Sequence, residues 1–156
     1  MNSPPLQRSV WYVLGITLLE MLIAVALVGL LVSLAVPTHR FGSEKKDILT
    51  AKRDIQEISI ALERYFLVNN RYPSSLAEIG EARIDPWGTP YAYLPIEGAK
   101  IGKIRKDKNL HPLNSDYDLY SHGPDKKSQT PLTANHSRDD IIRANNGGFI
   151  GVAKDY

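Results

Sequence analysis

An apolar run from Ile16 to Val36 constrains this chain more than any other feature. Its residues cover every face of a helix, and at about 1.5 Å per residue it spans roughly 30 Å, the thickness of one bilayer core. The run predicts one transmembrane helix. A secretory signal peptide is the alternative, but neither a basic start nor a small-residue cleavage site is evident, and the run is longer than an ordinary h-region. A single carboxylate, Glu20, interrupts it. Unpaired near the end of such a helix, that group costs on the order of 2 kcal/mol or more, so it must be protonated, snorkel to the interface or meet a cation. Snorkelling is the plain structural explanation. A partner charge that arrives on assembly is the functional one.

Gly15 followed by Ile16-Thr17-Leu18-Leu19-Glu20 resembles the signature of type IV prepilins, with a glycine before the cut and a glutamate at the fifth mature position. The resemblance implies that a prepilin peptidase cleaves between Gly15 and Ile16 on the cytoplasmic side and methylates the new amine of Ile16. The helix then stays in the membrane until it packs into a filament, where Glu20 faces the N-terminal amine of a neighbouring subunit. A carboxylate and an ammonium inside a helix bundle compensate one another where neither could stand alone. Pro37 matches the helix-perturbing proline of many family members, and it removes one backbone donor. Ile16 stands where phenylalanine is usual, and Arg8 is the sole basic residue before the run, whereas Arg40, Lys45 and Lys46 follow it. That charge bias favours the opposite orientation. The motif, with Glu44 and Asp47 beside those lysines, places the C-terminal domain outside the cytoplasm.

The chain has 156 residues, a formal net charge of +2 and no cysteine, which describes one small domain with no basic excess calling for nucleic acid. A small extracytoplasmic domain often depends on disulfides, so something else must staple the C-terminal half. Beyond Pro37, Ile48, Ala51, Ile55, Ile58, Leu62 and Tyr65 or Phe66 recur at helical steps, predicting an amphipathic helix from about Lys45 to Val68 that stops at Asn69-Asn70. The expected organisation is a leader at 1–15, a transmembrane helix at 16–36, its amphipathic continuation at 37–69 and a globular head at 70–156.

Within the head, Asn70 to Ser74 reads as a turn and Ser75 to Ile79 as a short helix ending at Gly80. Asp85-Pro86-Trp87-Gly88-Thr89-Pro90-Tyr91 fixes a rigid turn, and its aromatics supply apolar area to a small core. A carbohydrate site at Trp87, Tyr91 and Tyr93 is the rival reading, but no acidic pair accompanies them. This motif, with Tyr72-Pro73 upstream, is similar to the Tyr-Pro and Asp-Pro-Trp-Gly-x-Pro-Tyr pattern of the major pseudopilin of type II secretion systems. Strands are expected at Tyr91–Leu94, Lys100–Arg105 and Asp116–Ser121, separated by Pro, Gly and Asn. Together these elements predict an α+β, pilin-like fold: a long N-terminal helix, transmembrane in its first half and amphipathic in its second, packed on a small antiparallel sheet. The basic run from Lys100 to Lys108 reads as a solvated face, with contact to anionic lipid or to a partner as the minor alternative.

Two acidic clusters, Ser121-His122-Gly123-Pro124-Asp125 and Ser137-Arg138-Asp139-Asp140-Ile141, bracket a polar loop. Hard oxygen donors of this kind suit calcium, although ordinary turn aspartates explain them too. The major pseudopilin has a calcium loop of this general form. By that resemblance Asp125 and Asp140 are the carboxylate ligands of a structural calcium, with Asp139, Ser137 and the backbone carbonyl of His122 as weaker candidates. Lys126-Lys127 and a glycine-free insertion up to Ser137 depart from the family pattern.

Catalysis finds no support: there is no Gly-x-Ser-x-Gly, phosphate-binding glycine loop or His-Glu-x-x-His, and Ser121 beside His122 is not a nucleophile and base pair by adjacency. The resemblance implies a non-enzymatic subunit of the periplasmic pseudopilus, anchored in the inner membrane, that helps export folded proteins. Its partners would be other copies of itself, minor pseudopilins, the prepilin peptidase and the inner-membrane secretion machinery. A minor or major type IV pilin for motility, adhesion or DNA uptake is one alternative. A single-pass membrane-anchored binding module or enzyme is another.

Overall fold

The computed structural model describes residues 17–156, without the side chains of residues 33–42. The expected cleavage point between Gly15 and Ile16 lies outside the described residues, as does the side chain of Pro37. Contacts divide the chain into two units, Met1–Phe41 and Gly42–Tyr156. One helix, α1 (Leu18–Asn69), contributes to both.

In the first unit Thr17 caps α1. Its Oγ1 accepts a hydrogen bond from the Glu20 amide at 3.2 Å, and its carbonyl accepts one from the Met21 amide at 3.2 Å. The first bond satisfies one of the amides that a helix start leaves orphaned, and the second is the first bond of the helix itself. The apolar side chains from Leu18 to Val32 are exposed, as are those of Met21, Leu22 and Leu27 between them. Among the described residues no helix is long and apolar enough to cross a membrane. Within the expected Ile16–Val36 segment side chains are described only over 17–32, fewer than the roughly 20 residues a span requires.

In the second unit the amphipathic part of α1 buries the expected stripe. Ala51, Ile55, Ile58 and Leu62 are fully buried, in one cluster with Leu76, Tyr91, Tyr117, Leu119 and Ile141. The helix ends where Asn70 enters the left-handed region (φ 51°), its amide donating to the Phe66 carbonyl at 2.7 Å. A 3₁₀ turn at Leu76–Ile79 follows and closes on Gly80, also left-handed. The sheet comprises β1 (Ala92–Pro95), β2 (Tyr117–Ser121), β3 (Ile141–Ala144) and β4 (Phe149–Val152), all antiparallel in the order β1-β2-β3-β4. Register pairs Tyr93 with Leu119, Tyr120 with Ile142, and Arg143 with Ile150. Side chains alternate across a strand, so Tyr117 and Leu119 join the α1 cluster while Tyr120 packs against a second cluster of Leu113, Leu132, Ile142, Ala144 and Ala153.

Three expectations are corrected. Lys100–Arg105 is not a strand but a turn, with the Lys103 amide donating to the Lys100 carbonyl at 2.8 Å. Gly98 at φ 74° and Gly102 break any extended run there, and both sides of β2 are already taken by β1 and β3. The remaining strands, β3 and β4, come from a stretch with no strand expectation. Nor is the basic run from Lys100 to Lys108 wholly a solvated face, because Ile104 and Arg105 are buried within it. The aromatics of the Asp-Pro-Trp-Gly segment serve the core: Tyr91 is buried with its hydroxyl on Asp54 at 2.9 Å, and the Tyr93 hydroxyl donates to the Pro73 carbonyl at 3.0 Å.

Candidate functional site

The turn at Asp85 and the C-terminal loop are built as one structure. Asp85 Oδ1 accepts from the amides of Trp87 (3.1 Å) and Thr89 (2.8 Å), which organises the Pro-Trp-Gly turn around a single carboxylate. The other oxygen, Oδ2, accepts from the hydroxyl of Ser121 at the end of β2, and Ser121 Oγ in turn accepts from the Gly123 amide at 3.0 Å. Gly123 sits at φ +64°, and a Cβ there would lie 2.3 Å from the backbone oxygen of Asp139, so only glycine fits. The Gly123 backbone thus lies close against that of Asp139. The Asp125 amide donates to Asp139 Oδ2 at 3.2 Å.

The expected ligands, however, are spent on other partners. Asp125 Oδ1 accepts from the Lys127 amide at 2.7 Å, and its Oδ2 pairs with His136 Nδ1 at 2.8 Å. Burial pushes that carboxyl up, but the His136 ring and the Lys127 amide outweigh it and hold it below the usual aspartate value. The Ser137 hydroxyl donates to the Gln129 carbonyl at 2.6 Å and accepts from the Gln129 amide at 2.9 Å, stapling the loop across its width. His122 places its ring 5.4 Å from that of Tyr120. Among the described residues no three His, Asp or Glu side chains gather in a way that could hold a metal ion.

Asp140 has a different partner. It is fully buried, and its Oδ2 accepts from Arg105 Nη2 at 2.7 Å and from the Ser128 hydroxyl at 2.6 Å. Arg105 is itself only 2% exposed. Its amide donates to Asp118 Oδ2 at 2.7 Å, its Nη1 bonds Ser128 Oγ and the Gln129 carbonyl (3.0 Å), and its guanidinium lies 4.2 Å over the Tyr120 ring. Burial pushes the Asp140 carboxyl up, opposed by the guanidinium and the Ser128 hydroxyl.

A second buried arginine is arranged in the same way. Arg143 of β3 bonds Asp116 through Nη1 (2.8 Å) and Nη2 (2.6 Å), donates to the Tyr117 carbonyl at 3.3 Å and stacks 4.0 Å over the Tyr117 ring. Sequence reasoning overlooked Arg105, Arg143 and Ser128. The available signal was Asp140 itself, an acid directly before the apolar Ile141-Ile142 pair, since a carboxylate buried at a core strand requires a cation.

Comparison with known proteins yields relatives that share one description. The chain is 34% identical over 131 residues to the type II secretion system core protein G of Klebsiella pneumoniae, covering 81% of this chain and 91% of that protein. It is 32% identical over 145 residues to the core protein G of Pectobacterium carotovorum subsp. carotovorum, covering 90% and 81%. With that of Escherichia coli K12 the identity is 31% over 141 residues, covering 90% and 87%. No family model matches the chain, and no solved structure matches it.

Proposed function

Because this chain belongs to the type II secretion system core protein G family, the major pseudopilins, we propose that it polymerises into the periplasmic pseudopilus of such a system and performs no reaction of its own. One observation carries the reading: the relatives share that description and match over 81% and 90% of this chain. The α+β head with an amphipathic helix on a four-stranded antiparallel sheet supports it, because a subunit of this kind needs a rigid, self-contained body at the end of an assembly helix.

In this reading Gly15 and Ile16 are the processing site, cut by a prepilin peptidase, with methylation of the Ile16 amine. Glu20 is the assembly residue. It is exposed in the first turn of α1, where a carboxylate is open to the ammonium of a neighbouring copy. The partners are further copies of this chain, minor pseudopilins and the inner-membrane secretion machinery, with the head on the periplasmic side. Mass spectrometry of the protein isolated from a host with the peptidase tests the first step. The mature chain is expected to begin at N-methylated Ile16. An intact Met1 to Gly15 segment would turn the reading towards a plain membrane anchor.

A further inference from the structure

The C-terminal loop poses a charge problem that the fold answers internally. Asp140 is fully buried, directly ahead of core strand β3, and a carboxylate there needs a compensating cation. By resemblance that cation would be calcium. Calcium takes six to eight oxygens, and here both carboxylates expected to carry the site are drawn to other partners: both oxygens of Asp125 to Lys127 and His136, and Asp140 Oδ2 to Arg105 and Ser128, while the Ser137 hydroxyl bonds Gln129 and Asp139 Oδ2 takes the Asp125 amide. Asp140 Oδ1 alone lacks a partner among these atoms. A divalent ion bound there would face the Arg105 guanidinium, which already bonds the other oxygen of the same carboxylate at 2.7 Å, so two cations would repel at close range in a poorly screened interior. The residues present do not fit a calcium ion in this arrangement.

We propose that the Arg105 guanidinium is the built-in cation of this loop, ion-paired to Asp140 and bonded to Ser128 and the Gln129 carbonyl, so that the head closes without calcium. One side chain then links three segments. Its amide is fixed to Asp118 on β2, its guanidinium plane lies against Tyr120 of the same strand, and its fork reaches both the start of β3 and the middle of the loop. The fork spreads its donors over separate nitrogens, Nη2 on the Asp140 carboxylate and Nη1 on the Ser128 hydroxyl and the Gln129 carbonyl, a span that the single nitrogen of an ammonium does not have. The departures from the family loop agree with this: Lys126 and Lys127 bring positive charge to where a metal site would gather negative charge.

The test uses the full chain in detergent, melted in millimolar calcium and in excess chelator, with trypsin nicking after Lys126 and Lys127 as a local readout of loop closure. The wild type is expected to melt at one temperature and be nicked at one rate in both conditions. Arg105→Ala is expected to melt lower and be nicked faster, and Arg105→Lys, which keeps charge but loses the fork, to fall between them. A wild-type melting temperature raised by calcium would overturn the proposal, as would an Arg105→Lys variant with unchanged melting and nicking. Should Arg105→Ala fail to fold, the wild-type and lysine arms still decide. No arm requires filament growth, so this inference and the pseudopilus reading fail separately.

Discussion

A single substitution separates the proposed assembly role of Glu20 from the capping role its position suggests. With Thr17 at the cap and Glu20 three residues on, the start of α1 has the sequence of a capping box, in which glutamine serves as well as glutamate. Pairing with a neighbour's amine, by contrast, needs the negative charge. Glu20→Gln is therefore expected to leave the helix intact by circular dichroism while reducing filament yield as severely as Glu20→Ala; normal filament yield from Glu20→Gln would leave only the capping role. A second carboxylate makes a pH prediction. The Tyr65 hydroxyl, then the Ser74 amide and hydroxyl, hold Glu78 at about 2, down from an ordinary 4.5. A folded value below the unfolded one means that the stabilisation is complete above 4.5 and is lost as pH falls through about 2. Melting temperature followed across that interval should drop less steeply for Glu78→Gln than for the wild type, and parallel acid limbs would contradict the assignment.

The elements differ in how openly the sequence displays them. The stripe Ala51, Ile55, Ile58, Leu62 is legible because one face of α1 is buried and the other is wet, which imposes a helical period on the residues. Ile58→Ala should accordingly cost about 2–5 kcal/mol in denaturant unfolding, whereas Leu67→Ala, on the exposed face, should cost less than about 0.5 kcal/mol. Equal losses would mean that the stripe has been placed on the wrong face. β2 is legible as well, starting one residue later than expected. The strand β3 is not, for a physical reason: Ile141, Ile142, Arg143 and Ala144 are all buried, so no alternation marks it, and its arginine reads as surface until Asp116 and Tyr117 are seen around it. β4 is masked by Gly151, which reads as a breaker. In the fold a Cβ at that position would come within 2.8 Å of the Phe149 ring.

For the molecule as a whole, the absence of cysteine pointed to a different staple without naming it. Two buried arginines fill that role, each lying over a tyrosine of β2 and each paired with an aspartate from another segment. Asp140 and Asp125 stood out as acids, but the partner of Asp140 lies 35 residues away along the chain, a distance at which charge patterning carries no information. The loop was thus legible as a structured acidic turn, and its cation was not. Family membership rests on similarity over 81% to 90% of the chain, and it makes polymerisation the central claim. That claim is tested most directly by cross-linking intact cells that express the chain together with its secretion machinery, opening the periplasm, and identifying the subunit of the released filaments by immunoblotting and electron microscopy. Filaments and a cross-linked ladder of this chain are expected; processed protein found only as uncross-linked monomer in the membrane fraction, with the machinery active, would contradict polymerisation.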